Sequence, residues 1–145
     1  MNNMETVQEN IVTEYLEHNK ALEQSPEFQR IEQEVDNEVY RLFALERIQQ
    51  AKKYLAEHGD YEDAFDNELD APTEYDIYLS KRLNRIKEAK RLLEKYPDEP
   101  EYAARLFMQL GSCHWLWAMK KRILKEKYGI TWYAPSEVYP DDCYD

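Results

Sequence analysis

Apolar and polar positions follow helical spacing along almost the whole chain. Val7, Ile11, Tyr15 and Leu16 recur near every fourth residue among acids, which predicts an amphipathic helix from about Glu5 to Leu22 within an N-terminal segment 1–24. Ser25-Pro26 is a start signal, because serine caps a helix and proline suits its first position. Phe28, Ile31, Val35, Val39, Leu42, Leu45, Ile48, Ala51 and Leu55 then recur at spacings of three and four, and Gly59 is the expected terminator. Unbroken, this helix is roughly 32 residues and about 48 Å long. A compact chain of this length is only about 38 Å across. The molecule is therefore expected to be elongated, to bend its helix, or to cover the overhang with a second subunit. A third helix is expected from near Thr73 to near Tyr96, buried through Ile77, Leu79, Leu83, Ile86 and Leu93. The turn Pro97-Asp98-Glu99-Pro100 makes it the antiparallel neighbour of a last long helix, expected from Pro100 to Tyr128 and ending at Gly129.

Within that last helix, Leu106 to Met119 holds ten apolar residues of fourteen and no Asp, Glu, Lys or Arg. A helix that is apolar on all sides is normally buried on all sides, and this one is short of the roughly 20 residues that cross a bilayer. It is expected to be the central rod of the core. Leu106, Leu110, Cys113 and Trp117 form one side, and Phe107, Trp115, Ala118 and Met119 another. Gly111 and Ser112 in its middle read as a kink or a close helix approach. Two apolar sides need two sets of partners, so a homodimer through one of them is an expected outcome. The fold expected is all-α: a single domain, 1–145, built as an elongated antiparallel bundle of about four helices, three long and one shorter and N-terminal. An irregular aromatic tail, 130–145, completes it. Its Trp132, Tyr133, Tyr139 and Tyr144 are expected to pack on the bundle, with a docking peptide ending in Asp141, Asp142 and Asp145 as the alternative.

Charge changes this picture. The net charge is −11, yet residues 1–76 carry 20 acids against 6 bases and residues 77–145 carry 10 against 13. An acidic connector spans 57–76; its Asp60–Asp76 portion has eight acids and no base, and Tyr61, Phe65 and Leu69 recur in it as in a short helix. The spacing of a calcium-binding loop is absent. Lys120, Lys121, Arg122, Lys125 and Lys127 cluster toward the end of the last helix, where they suit the helix dipole, pair with acids of the same chain, or bind an external anion. So acidic a surface opposes general nucleic-acid binding and favours a basic protein partner or imitation of a polyanion.

Catalytic chemistry has little to work with. Cys113 and His114 are adjacent, and neighbours on a helix do not face each other. The three glycines, Gly59, Gly111 and Gly129, are isolated and build no phosphate loop. Glu14 and His18 are an unrepeated acid–histidine pair; Glu38 lies beside Val35 and Val39, but no carboxyl stands out on a buried stripe. No enzyme activity, cofactor or metal is expected. Two cysteines without a framework, no apolar leader and no membrane span lead to the expectation of a cytoplasmic protein.

The function expected is that of a non-enzymatic acidic protein that binds or blocks a basic macromolecule. Only in composition is the chain similar to small acidic inhibitors of phages and mobile elements that act on host nucleases. Candidate partner-binding residues are Glu27, Glu34, Glu38, Asp60, Glu62, Asp63, Asp66, Trp115, Trp132 and Tyr133. The alternative is a nucleic-acid-associated regulator using Lys81, Arg82, Arg85, Lys120, Lys121, Arg122 and Lys125, or an enzyme whose site forms only in an oligomer.

Overall fold

The structure, a computed structural model, describes residues 3–58, 74–140 and 142. It is all-helical, with no strand among the described residues. Among the described residues six helices follow in order: α1 Asn3–Glu23, α2 Pro26–Glu57, α3 Glu74–Lys95, α4 Glu101–Arg105, α5 Ser112–Tyr128 and α6 Pro135–Val138. None is long and apolar enough to cross a membrane among the described residues. The expected bounds of α1, α2 and α3 agree with these to within two residues. Ser25 caps α2, its hydroxyl accepting the Phe28 N–H at 3.3 Å. Gly59 lies outside the described residues.

The last long helix is a correction. Residues 100–128 form two helices, not one. The N–H groups of Leu106 and Phe107 donate to carbonyls three residues back, on Ala103 and Ala104, which tightens and ends α4. Gly111 then adopts φ +82°, a left-handed conformation that breaks α-helical continuity. Ser112 completes the turn: its hydroxyl accepts the Gln109 N–H at 3.0 Å and its own N–H donates to the Gln109 carbonyl at 3.1 Å. The segment 106–119 is therefore no central rod buried on all sides. Leu110 is 82% exposed, and Ser112 is the fully buried residue of the stretch. A run without charges is not thereby a run that finds cover.

The chain forms two compact units, 1–39 with 109–145, and 40–108. In the first, Phe28, Ile31, Val35 and Val39 of α2 make a core with Leu124 of α5 and with Trp132 and Ala134 after it. Trp115, Leu116, Trp117 and Ile123 pack partly buried against that core. Gly129 ends α5 at φ +65°, and the Ile130 N–H that follows donates to the Leu124 carbonyl at 3.0 Å. In the second unit, Phe43, Ala44, Ile48 and Ala51 of α2, Leu79, Ile86 and Ala89 of α3, and Ala103 and Ala104 of α4 are buried. Alanines at these positions let helix backbones approach closely. The turn between α3 and α4 is held by Arg41, which donates to the Pro97 carbonyl at 2.9 Å.

Candidate interaction surface

The surface of the first unit is built by α1 and the first half of α2. Glu9, Glu14, Glu17, Glu23, Glu27 and Glu34 are exposed there, and residues 1–39 contain only Lys20 and Arg30 as bases. Glu14 and Glu17 are one helical turn apart, as are Glu34 and Glu38, so neighbouring carboxylates stand roughly 5–6 Å apart. Glu34 lies 3.7 Å from Arg30, and the Tyr128 hydroxyl donates to it at 3.5 Å. Glu38 is half-buried and also has interactions.

Glu32 and Asp36, one turn apart on α2, are neutralised from within. The Lys120 ammonium sits 3.0 Å from Glu32 and 3.1 Å from Asp36, with its side chain 13% exposed. It also lies 4.6 Å from the centre of the Trp132 ring. Burial raises the Asp36 carboxyl above its ordinary 3.8; Lys120 opposes this by charge and hydrogen bond, and Glu32 adds to it. Lys120 is thus the residue that lets two acids of α2 approach a core. Lys121 pairs with Glu137 at 2.5 Å, Arg122 with Glu126 at 3.2 Å, and Lys125 donates to the Thr131 hydroxyl at 3.3 Å. These three cations rim a groove of about 490 Å³ floored by Ala118, Ile130 and Trp132. Each already has a partner within the chain, which counts against an anion-binding role for this run.

The segment after α5 is clamped to α1. The Asn19 amide donates to the Tyr133 carbonyl at 2.7 Å and accepts the Tyr133 N–H at 3.1 Å, as a neighbouring strand would. The Tyr133 ring stacks on Tyr15 with centroids 3.9 Å apart. His18 Nε2 lies 2.6 Å from the Thr131 carbonyl, so that nitrogen carries the proton. Glu137 opens α6, its carboxylate accepting the Ala134 N–H at 2.8 Å while pairing with Lys121. Beyond this clamp, a groove of about 740 Å³ opens between the early turns of α1 and the α6 turn. Its walls include Gln8, Glu9, Val12 and Thr13 on one side and Val138, Tyr139, Pro140 and Asp142 on the other.

Of the partner-binding residues read from the sequence, Glu27 and Glu34 lie on the exposed acidic surface and Glu38 at its half-buried edge. Trp115 and Tyr133 are half-buried, and Trp132 is 7% exposed. Trp132 is committed to the core of its own unit, where a large ring gains more from burial than from waiting for a partner. Asp60, Glu62, Asp63 and Asp66 lie outside the described residues, as do Cys143 and most of the connector. Sequence reasoning missed Tyr15, His18 and Asn19 as the clamp. The signal was present: Asn19 stands one turn beyond Tyr15 on the apolar stripe of α1, where a polar side chain needs a partner.

In the second unit α3 is basic, and two tyrosines engage its Arg82. Its guanidinium lies 4.1 Å from the Tyr54 ring centre and donates to the Tyr78 hydroxyl at 3.0 Å. The exposed Lys90 is held below its ordinary value by the Lys52 ammonium beside it, a like charge that favours the neutral amine. No group of three or more His, Cys, Asp and Glu side chains stands together as metal ligands among the described residues. Cys113 is half-buried, and the exposed His114 meets the Trp117 ring edge-on at 5.5 Å. Compared with family models, with curated proteins and with solved structures, the chain matches none.

Proposed function

We propose that this chain is a non-enzymatic interaction protein that binds a basic macromolecule through the acidic surface of α1 and the first half of α2. The observation that carries this reading is the arrangement of charge. Ten acids and two bases stand in residues 1–39. Lys120 neutralises Glu32 and Asp36, and the exposed carboxylates Glu9, Glu14, Glu17, Glu23 and Glu27 are left facing solvent. A helix surface with carboxylates one turn apart offers a cationic partner a charge spacing close to that of phosphates along a nucleic-acid strand. The protein then acts by holding or blocking its partner, in the manner of a polyanion imitator, in the cytoplasm.

The internal pairing of Lys120 and Lys121 favours this over a regulator that contacts nucleic acid with the same lysines. The test is the salt dependence of binding to oligolysine, with duplex DNA as competitor. Affinity is expected to fall steeply between about 50 and 200 mM salt, as polyanion binding does, and DNA is expected to displace the chain. A complex indifferent to salt, or none at low salt, overturns the proposal.

A further inference from the structure

The groove between α1 and the α6 turn gives the acidic surface a place to seat a specific partner. Local hydrogen bonds shape each wall. At the end of α6, the Tyr139 N–H donates to the Pro135 carbonyl at 2.7 Å, and beyond it the Asp142 N–H donates to the Tyr139 carbonyl at 3.2 Å. On α1, the Thr13 hydroxyl donates to the Glu9 carbonyl at 2.9 Å. Apolar Val12 and Val138 share its lining with the two acids Glu9 and Asp142. At its rim Tyr139 is 51% exposed, and Pro140 and Asp142 beside it are exposed. The later turns of α1 differ, because Tyr15 and Asn19 are already occupied by Tyr133. The groove thus combines apolar side chains, a concave wall and negative charge, with Glu14 and Glu17 following on the same helix and Lys20 as the only base of α1. An uncharged partner segment leaves Glu9 and Asp142 unmatched, and a second copy of this chain brings its own net charge of −11 to the same place.

We propose that this groove receives a basic amphipathic segment of the partner: one apolar side chain enters between Val12, Val138 and Pro140, and flanking lysines or arginines meet Glu9 and Asp142. This deepens the reading of the chain as an acidic interaction protein and rests on it. The groove supplies what a bare carboxylate array lacks, a pocket that distinguishes one cationic segment from another.

The full chain, labelled with ¹⁵N, is titrated with two short synthetic peptides of equal charge, one of lysines alone and one of lysines around a central pair of leucines. The leucine-containing peptide is expected to bind roughly tenfold more tightly, as burial of one apolar anchor provides. Amide signals of Gln8, Val12, Thr13, Val138 and Tyr139 are expected to shift. Glu9→Lys is expected to weaken that peptide about fivefold, whereas Glu94→Lys, the same charge change on α3, is expected to leave it within about twofold. Equal affinity for the two peptides, or shifts confined to residues 23–34, overturns the groove and leaves the acidic-surface reading standing. No binding of either peptide at low salt overturns both.

Discussion

Lys120 shows how one residue decides what an acidic helix is able to pack against. Removing its charge by Lys120→Met leaves Glu32 and Asp36 together and partly desolvated, and is expected to cost about 1–3 kcal/mol. Urea denaturation at neutral pH measures it. Asp36→Asn is expected to behave differently, staying within about 0.5 kcal/mol of the parent, because the carboxylate is more than one-third exposed and solvent screens its charge. The sign of its pH dependence follows from the direction of the shift. The folded carboxyl titrates above 3.8, so its contribution is full below 3.8 and is lost as pH rises through the folded value. Asp36→Asn removes that loss. Its stability relative to the parent is therefore expected to improve as pH rises from about 3 to about 6 in denaturation curves. A relative stability that worsens over this range contradicts the desolvation assigned to Asp36. Asn19→Ala strips both backbone partners from Tyr133 and is expected to cost about 1–3 kcal/mol.

The elements differ in how far they were legible beforehand. α1, α2 and α3 were readable because each carries a continuous apolar stripe, a cap or a breaker, and charge on the outer side. The break between α4 and α5 was not, because the run from Leu106 to Met119 has no charged residue to mark an interruption. Gly111 and Ser112 were visible as unusual, but as a kink or a close approach. The structure rules out the close approach, since a methyl group placed on Gly111 meets nothing within 4 Å. The glycine is required by its φ of +82° alone. Gly111→Ala is accordingly expected to destabilise by about 1–2 kcal/mol with no steric clash, seen as a lowered urea midpoint. Unchanged stability contradicts the left-handed turn and favours a continuous helix. The tail was half legible: its aromatic content called for packing, which Trp132 and Tyr133 do, but the partners are distant in sequence, Tyr15 of α1 for Tyr133 and the Phe28–Val39 stripe of α2 for Trp132.

At the scale of the whole molecule, the candidate surface was legible as composition and not as place. Counting charge identified residues 1–76 as acidic, whereas only the three-dimensional arrangement separates Glu32 and Asp36, neutralised by Lys120, from Glu27 on the open surface. The net charge of −11 also acts on the fold itself. Raising salt from about 20 to 200 mM is expected to stabilise the chain by screening its self-repulsion, while the same change is expected to weaken binding to a basic partner. Opposite responses to one variable separate a surface that works on a partner from one that only keeps the chain soluble.

The most direct measurement compares two triple variants that both take the net charge from −11 to −8. One carries Glu14→Gln, Glu23→Gln and Glu27→Gln in the first unit, the other Glu57→Gln, Glu74→Gln and Glu94→Gln in the second, all at exposed positions. Dissociation constants for oligolysine at about 50 mM salt are expected to rise roughly tenfold for the first variant and less than about twofold for the second. Equal losses contradict a working surface on α1 and α2 and reduce the acidity of this chain to overall charge.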